Sequence, residues 1–494
     1  MGLRYKSTRN ENDLLQASEA IIQGLSKEGG LYVPEYIPKL NMSLSMLKSM
    51  SYQEVAYAVM KEYLTDFTEE ELKECINKAY DDKFDTQEIV PIQQVGAAYY
   101  LELFHGPTIA FKDMALSILP YLMTTAAKKK GVTNEIVILT ATSGDTGKAA
   151  LAGFADIKGT KIIVFYPKEG VSKIQELQMV TQTGDNTAVV AINGNFDDAQ
   201  SGVKAIFEDM QLKEKMNKNG YQFSSANSIN IGRLVPQIVY YVYAYGKMLE
   251  HGDIDEGELI NVVVPTGNFG NILAAYYARE MGLPIKKLIC ASNDNKVLFD
   301  FFETGTYNRN REFILTASPS MDILISSNLE RLIYEIGGGS TNNAQKMQEL
   351  KTKGSYEITA EMKERLNMFV AGFATEEQAA DAIRQTYDRT GYLMDTHTAV
   401  AVSVYNQYKD RTQDLTKTLV ASTASPYKFV KNVLGALDKQ QRTQDEIGLL
   451  EVMPKVSGVK MPKAITDVIG TKIRHFSECD IDDMKQIVEN ILHI

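Results

Sequence analysis

The sequence is poor in the residues that build disulfide and metal sites. Its three cysteines, Cys75, Cys290 and Cys479, are odd in number and far apart. That excludes a disulfide framework or a zinc-knuckle spacing and fits a reducing compartment. The five histidines are scattered and form no HExxH pattern, so no metal site is expected. Basic runs are missing as well. Lys and Arg total 52 against 63 Asp and Glu, a formal net charge of −11, which argues against nucleic acid or an anionic membrane as partner. Any anionic ligand must be held by local donors against the overall field. No apolar run approaches the roughly 18 residues of a membrane span. Glu11 and Asp13 stand where a signal or transit peptide would be free of acids, and Lys6 takes the place of the Ser or Thr of a myristoylation motif. A cytoplasmic protein is expected.

At 494 residues and 44% hydrophobic composition the chain can bury large cores, and its length suggests about two to four domains. Residues 1–92 read as a mainly helical N-terminal domain, with apolar residues at helical spacing over Leu14–Leu25, Tyr52–Leu64 and Glu69–Tyr80. Gly29 to Pro34 reads as a turn and short extended piece. From 93 to 438 the texture becomes α/β. Strand candidates at Tyr99–Phe104, Ile136–Leu139, Lys161–Tyr166, Ala188–Ile192, Leu259–Val264, Lys287–Ala291 and Thr418–Ala421 alternate with helix-length segments. That alternation predicts two parallel-sheet α/β units, the smaller around 130–230, with both sheet faces covered. A long helix is expected over Ser228–Leu249, mostly helical structure over 294–390, and short elements ending in an amphipathic helix, Ile481–Leu492, in a C-terminal extension over 439–494.

Three stretches lie where strands give way to helices, the place where open α/β sheets bind ligands. Thr140 to Lys148 contains Ser143-Gly144-Asp145-Thr146-Gly147. Its glycines are too close for a nucleotide P-loop and Ala149 replaces the magnesium-binding hydroxyl. A nest of amides and hydroxyls for a carboxylate or phosphate remains. Gly267-Asn268-Phe269-Gly270-Asn271 is a second anion-binding turn that lacks the dinucleotide spacing. Ser422-Thr423-Ala424-Ser425 caps the next helix or offers an uncharged hydroxyl to a ring nitrogen. Before all three, Lys112 follows Ile109-Ala110-Phe111 at the start of a helix. Desolvation there lowers an amine's pKa and makes it a nucleophile able to form a Schiff base with pyridoxal phosphate.

His105-Gly106-Pro107-Thr108-Ile109-Ala110-Phe111-Lys112-Asp113 resembles the cofactor-lysine signature of the threonine synthases. The two glycine-rich turns, Ser228-Ile229-Asn230 with Arg233, and the N-terminal Ser7-Thr8-Arg9 and Gly29 to Pro34 are similar to the same family, in order along the chain. The resemblance implies a fold type II pyridoxal-phosphate enzyme, with the cofactor in a cleft between two α/β domains. It implies Lys112 as the Schiff-base lysine and proton carrier, Gly267, Asn268, Phe269, Gly270 and Asn271 around the cofactor phosphate, and Thr423 at the pyridine nitrogen. It places Thr142 and Ser143 at the substrate carboxylate, with Asn230, Arg233 and less strongly Lys148 at the substrate phosphate. The implied reaction is O-phospho-L-homoserine plus water to L-threonine and phosphate, the last step of threonine biosynthesis, by a monomer or homodimer. Asp145 replaces the Asn that many relatives set against the cofactor hydroxyl, and His397 in Asp395-Thr396-His397 reads as a helix-start residue. A threonine or serine dehydratase of the same fold, or a cofactor-binding protein without catalysis, are the alternatives.

Overall fold

The computed structural model describes residues 2–142, 144–443 and 445–494. Two sheets organise them. The smaller runs Ser477–Cys479, Thr187–Ile192, Thr160–Pro167, Glu135–Ala141, Tyr221–Ser224 and is parallel throughout. The larger runs Phe369–Phe373, Ile285–Ser292, Ile260–Pro265, Thr418–Ser422, Ala98–Glu102 in parallel and closes with the antiparallel edge strand Ile92–Val95. The inner strands are continuous apolar runs, as burial on both faces requires, and the α/β architecture expected from the sequence is the one observed.

The helix Ile231–His251 packs against Gly270–Met281 and the N-terminal helix Tyr52–Tyr63 and is buried nearly all round, the signature of a core helix rather than a surface one. A Cβ on Gly246 would come within 2.9 Å of the Leu47 carbonyl, so only glycine lets the N-terminal turn Leu44–Ser49 lie against this helix.

The N-terminal region is less helical than its pattern suggests. Tyr5–Ser7, Asn10–Leu15 and Tyr32–Pro34 form a three-stranded antiparallel sheet. The expected helix over Leu14–Leu25 shrinks to Ala17–Gln23, because Leu14 is an exposed strand residue whose helical spacing is accidental. The helices Tyr52–Tyr63 and Glu69–Ala79 match their periodicity, each opened by a capping box from Ser51 and Glu54 or Thr68 and Glu71. Thr8 and Arg9 tie this region to the larger half: both donate to Glu330, which is buried, at 2.6 and 2.7 Å.

Elsewhere the differences are short edge strands. Phe369–Phe373 lies in the stretch expected to be mostly helical, its Gly372 under Val404 with no room for a Cβ. Ser477–Cys479 adds to the smaller sheet, and Met484–Leu492 buries Met484, Val488 and Leu492 in that sheet's core. No helix among the described residues is long and apolar enough to cross a membrane. The carboxyl ends of Ala98–Glu102, Glu135–Ala141, Ile260–Pro265 and Thr418–Ser422 lead into the segments that form the candidate site.

Candidate active site

Lys112 is fixed by the chain around it. The segment after Ala98–Glu102 is clamped to the end of the neighbouring strand: Phe111 N donates to Thr423 O (2.8 Å) and Ser425 N to Ile109 O (3.0 Å). Ile109 takes φ +52°, rare for a β-branched residue and a strain of about 1–3 kcal/mol that the clamp must hold. Asp113 accepts from the Thr108 amide (2.8 Å) and hydroxyl (2.6 Å). Lys112 itself is only 8% exposed. Its Nζ lies 3.2 Å from Ser320 Oγ, 3.7 Å from Asp145 Oδ2 and 4.9 Å from the centre of the Phe111 ring. Burial pushes its pKa down to about 8, against the pull of Asp145 and Asp113 and with help from Lys428 and Arg233. An appreciable share of the amine is therefore free at neutral pH.

The turn after Glu135–Ala141 is folded around Thr142, whose Oγ1 accepts from the Gly144 and Gly147 amides, both at 2.9 Å. That leaves its own O–H for an outside acceptor. Gly144 has φ +135° and lies where a Cβ would strike Gln175 at 2.5 Å. Ser143 lies outside the described residues. Asp145, at the start of the helix Asp145–Phe154, accepts from Gln175 Nε2 (2.8 Å) and Ser320 Oγ (3.2 Å) and pairs with Lys428 at 3.2 Å. Burial alone would raise its carboxyl, but Lys428, Lys112 and His397, with the Gln175 hydrogen bond, hold it well below the usual range. Lys148 is buried on the same helix and donates to Gln182 Oε1 at 2.5 Å; burial lowers its pKa to about 8.

The second turn has its carbonyls occupied. Ser326 Oγ donates to Gly267 O (2.6 Å), and Asn328 donates to Asn268 O through both its amide and Nδ2 (3.0 Å each). Gly267 faces the Ser320 carbonyl, 2.4 Å from where a Cβ would sit. Phe269 adopts φ +65° and packs its ring against Phe302 and Phe369, so its part in the turn is backbone. The helix Gly270–Met281 then begins, and its first amides lack intrahelical acceptors and carry the positive end of the dipole. Asn271 Oδ1 is taken by Tyr241, while its Nδ2 is buried without a partner among the described residues. Thr423 N donates to Thr398 Oγ1 (3.3 Å), and among the described residues nothing engages the Thr423 hydroxyl.

Arg233 is buried, donates through Nη1 to Ala226 O (3.1 Å), and leaves Nε unpartnered. No carboxylate among the described residues pairs with it, and burial lowers its pKa to about 10. Asn230, expected beside it as a ligand contact, is spent on the fold. Its Nδ2 donates to Ile21 O (2.9 Å) and Ser225 O (2.8 Å), and its Oδ1 caps the helix at Gly232 N (2.9 Å). His397 does start a helix, and it also reaches inward: Nδ1 faces Asp395 Oδ2 (2.8 Å) and Nε2 accepts from Ser320 N (3.1 Å). Ser320, Lys428 and Gln175 are the residues of the site that the sequence pattern leaves unmarked. Each is brought in by tertiary packing; the Ser425-Pro426 turn before Lys428 and the Ser172–Gln175 capping box are local signals of a helix start and not of the site.

Three family models match: Threonine synthase N terminus over residues 4–80, Pyridoxal-phosphate dependent enzyme over 89–423, and Threonine synthase, C-terminal over 398–469. The threonine synthase of Saccharomyces cerevisiae is 33% identical, covering 99% of this chain and 98% of its own. Threonine synthase-like 1 of Homo sapiens is 39% identical over 85% of this chain, which spans 58% of that relative's length. Among solved structures, a threonine synthase with bound pyridoxal phosphate from Brucella melitensis superposes with a TM-score of 0.87 at 34% identity, covering 100% of this chain and 99% of the other. With these matches running from the N-terminal sheet through the sheet ends that hold Lys112, the chain belongs to the threonine synthase family of pyridoxal-phosphate dependent enzymes.

Proposed function

We propose that the protein converts O-phospho-L-homoserine and water to L-threonine and phosphate, with Lys112 as the reactive amine. The observation that carries this is a buried lysine whose pKa falls to about 8 between two anion-receptive turns.

The residues fit a phosphorylated pyridine aldehyde. The amides opening Gly270–Met281 and the orphaned Asn271 Nδ2 are donors for its phosphate. The unengaged Thr423 hydroxyl is an uncharged partner for its ring nitrogen, and Lys112 is the amine. When bound, pyridoxal phosphate supplies a carbonyl carbon for amines and an electron sink that acidifies the substrate's C–H bonds.

The chain supplies the rest. The Asp145 and Thr146 amides and the free O–H of Thr142 hold the substrate carboxylate, with Ser143 assigned there by the family pattern alone. Lys112, released as a neutral amine, removes the Cα proton and then one from Cβ as the Cγ–O bond breaks, takes a third from the water that adds at Cβ, and returns protons to the departing phosphate, Cγ and Cα. Departure of phosphate from Cγ needs a cation placed where charge develops. Arg233, buried and without a carboxylate, is the group proposed for it, because an unpaired interior guanidinium gains most from an arriving anion. An uncharged Thr423 rather than a carboxylate leaves the ring a weaker sink, which suits elimination and replacement more than transamination. In this reading the enzyme works in the cytoplasm, as a monomer or homodimer. The test is phosphate release from O-phospho-L-homoserine by purified protein and by Lys112→Ala. The variant should be inactive; full activity in it would overturn the assignment.

A further inference from the structure

Ser320 sits in the short turn Pro319–Met321, which is held from three sides. Its amide donates to His397 Nε2 (3.1 Å), and His397 is itself oriented by Asp395. Asp322, just beyond, accepts from Thr316 N (2.9 Å), Asn293 Nδ2 (2.7 Å) and Asn295 Nδ2 (3.0 Å). The carbonyl of Ser320 is pressed against Gly267, where a Cβ would come to 2.4 Å. So much support for one turn fixes the hydroxyl it carries. That hydroxyl lies 3.2 Å from Lys112 Nζ and 3.2 Å from Asp145 Oδ2, while the two charged groups stand 3.7 Å apart.

We propose that Ser320 is a positioning residue for Lys112: its hydroxyl accepts from the ammonium, donates to Asp145, and holds their ion pair at 3.7 Å, short of direct hydrogen-bond contact. A direct pair would lock Lys112 in the charged form, which cannot act as a base. With the hydroxyl bridging the two from one side, Asp145 turns its other oxygen to Lys428 at 3.2 Å. The groups facing Lys112 then pull in opposite directions. Asp145 and Asp113 favour its proton, while burial, Lys428 and Arg233 oppose it, and His397 acts on the Asp145 side. The inference rests on Lys112 being the reactive amine.

The test is the titration of Lys112 in the full-length protein stripped of pyridoxal phosphate, read as the rate of acetylation of its peptide across pH. In Ser320→Ala, and in Ser320→Gly as a second route to the same loss, Lys112 should close on Asp145 and its midpoint should rise by about one unit, a tenfold smaller share of free amine below the midpoint. Ser320→Thr keeps the hydroxyl and should titrate like the parent. In the loaded enzyme the same two losses should lower kcat with little change in KM and move the acid limb of the pH profile upward. A midpoint in Ser320→Ala or Ser320→Gly that is unchanged or lower overturns the proposal. Turnover by Lys112→Ala would instead discard the active-site reading, so the two failures are told apart.

Discussion

Asp145→Asn tests the electrostatics of the site most sharply. The substitution keeps size and removes one charge. In the parent, Lys428 has no exposed surface; among the described residues its Nζ reaches only Thr108 O at 2.8 Å and Asp145 Oδ1 at 3.2 Å. Removing the carboxylate leaves that ammonium buried with one neutral acceptor, a loss of about 3–5 kcal/mol for breaking one side of an interior pair. Lys428→Met alone strands the opposite charge, but Asp145 keeps Lys112, Gln175 and Ser320 near it, so its loss falls toward the lower end of that range. Removing both charges should recover about 2–3 kcal/mol relative to the sum of the single losses, a coupling expected for residues in contact. Urea unfolding of the parent, both single variants and the double variant measures it. If the double variant loses as much as the two single losses added, the pair is not what holds Lys428, and the description of the buried charges is wrong.

Three further perturbations follow from the structure. His105 lies between Asp85 (2.5 Å) and Glu102 (2.9 Å); burial lowers its pKa, but the two carboxylates outweigh it and bring it up to about 9. A raised histidine stabilises the fold fully below its ordinary value near 6.5 and loses that effect as pH rises to about 9, a contribution of about 3 kcal/mol. The parent's urea midpoint minus that of His105→Gln should therefore shrink between those pH values; a constant difference would contradict the assignment. Arg233→Met should fold at least as well as the parent, because it removes an unpaired buried charge, yet lose phosphate release by about a hundredfold or more if the guanidinium meets the departing group. Unchanged release would discard that role. Gly267→Ala places a methyl 2.4 Å from the Ser320 carbonyl; overpacking of about 1–3 kcal/mol should move the turn and weaken retention of pyridoxal phosphate on dialysis, and full retention would refute the close fit.

The parts of the site that were legible in the sequence are those carried by local punctuation. Gly144 and Gly267 sit between a strand and a helix, and Gly147 and Gly270 lie in the first turn of the helix that follows. Lys112 was marked by the apolar residues before it. Ser320, Lys428 and Gln175 were not, since their roles arise only when segments from 30 to 320 residues apart are packed together. Asn230, which the resemblance implies at the substrate phosphate, has its amide engaged by backbone groups at the helix start. The missed strands Phe369–Phe373 and Ser477–Cys479 are edge pieces defined by their neighbours; Gly372 interrupts the apolar run of the first, and the second has only three residues.

The central claim is the reaction itself. Purified protein loaded with pyridoxal phosphate and given O-phospho-L-homoserine should release phosphate and L-threonine in equal amounts. Absence of phosphate, together with ammonia and 2-oxobutyrate from added threonine, would contradict it while leaving Lys112 and the fold in place.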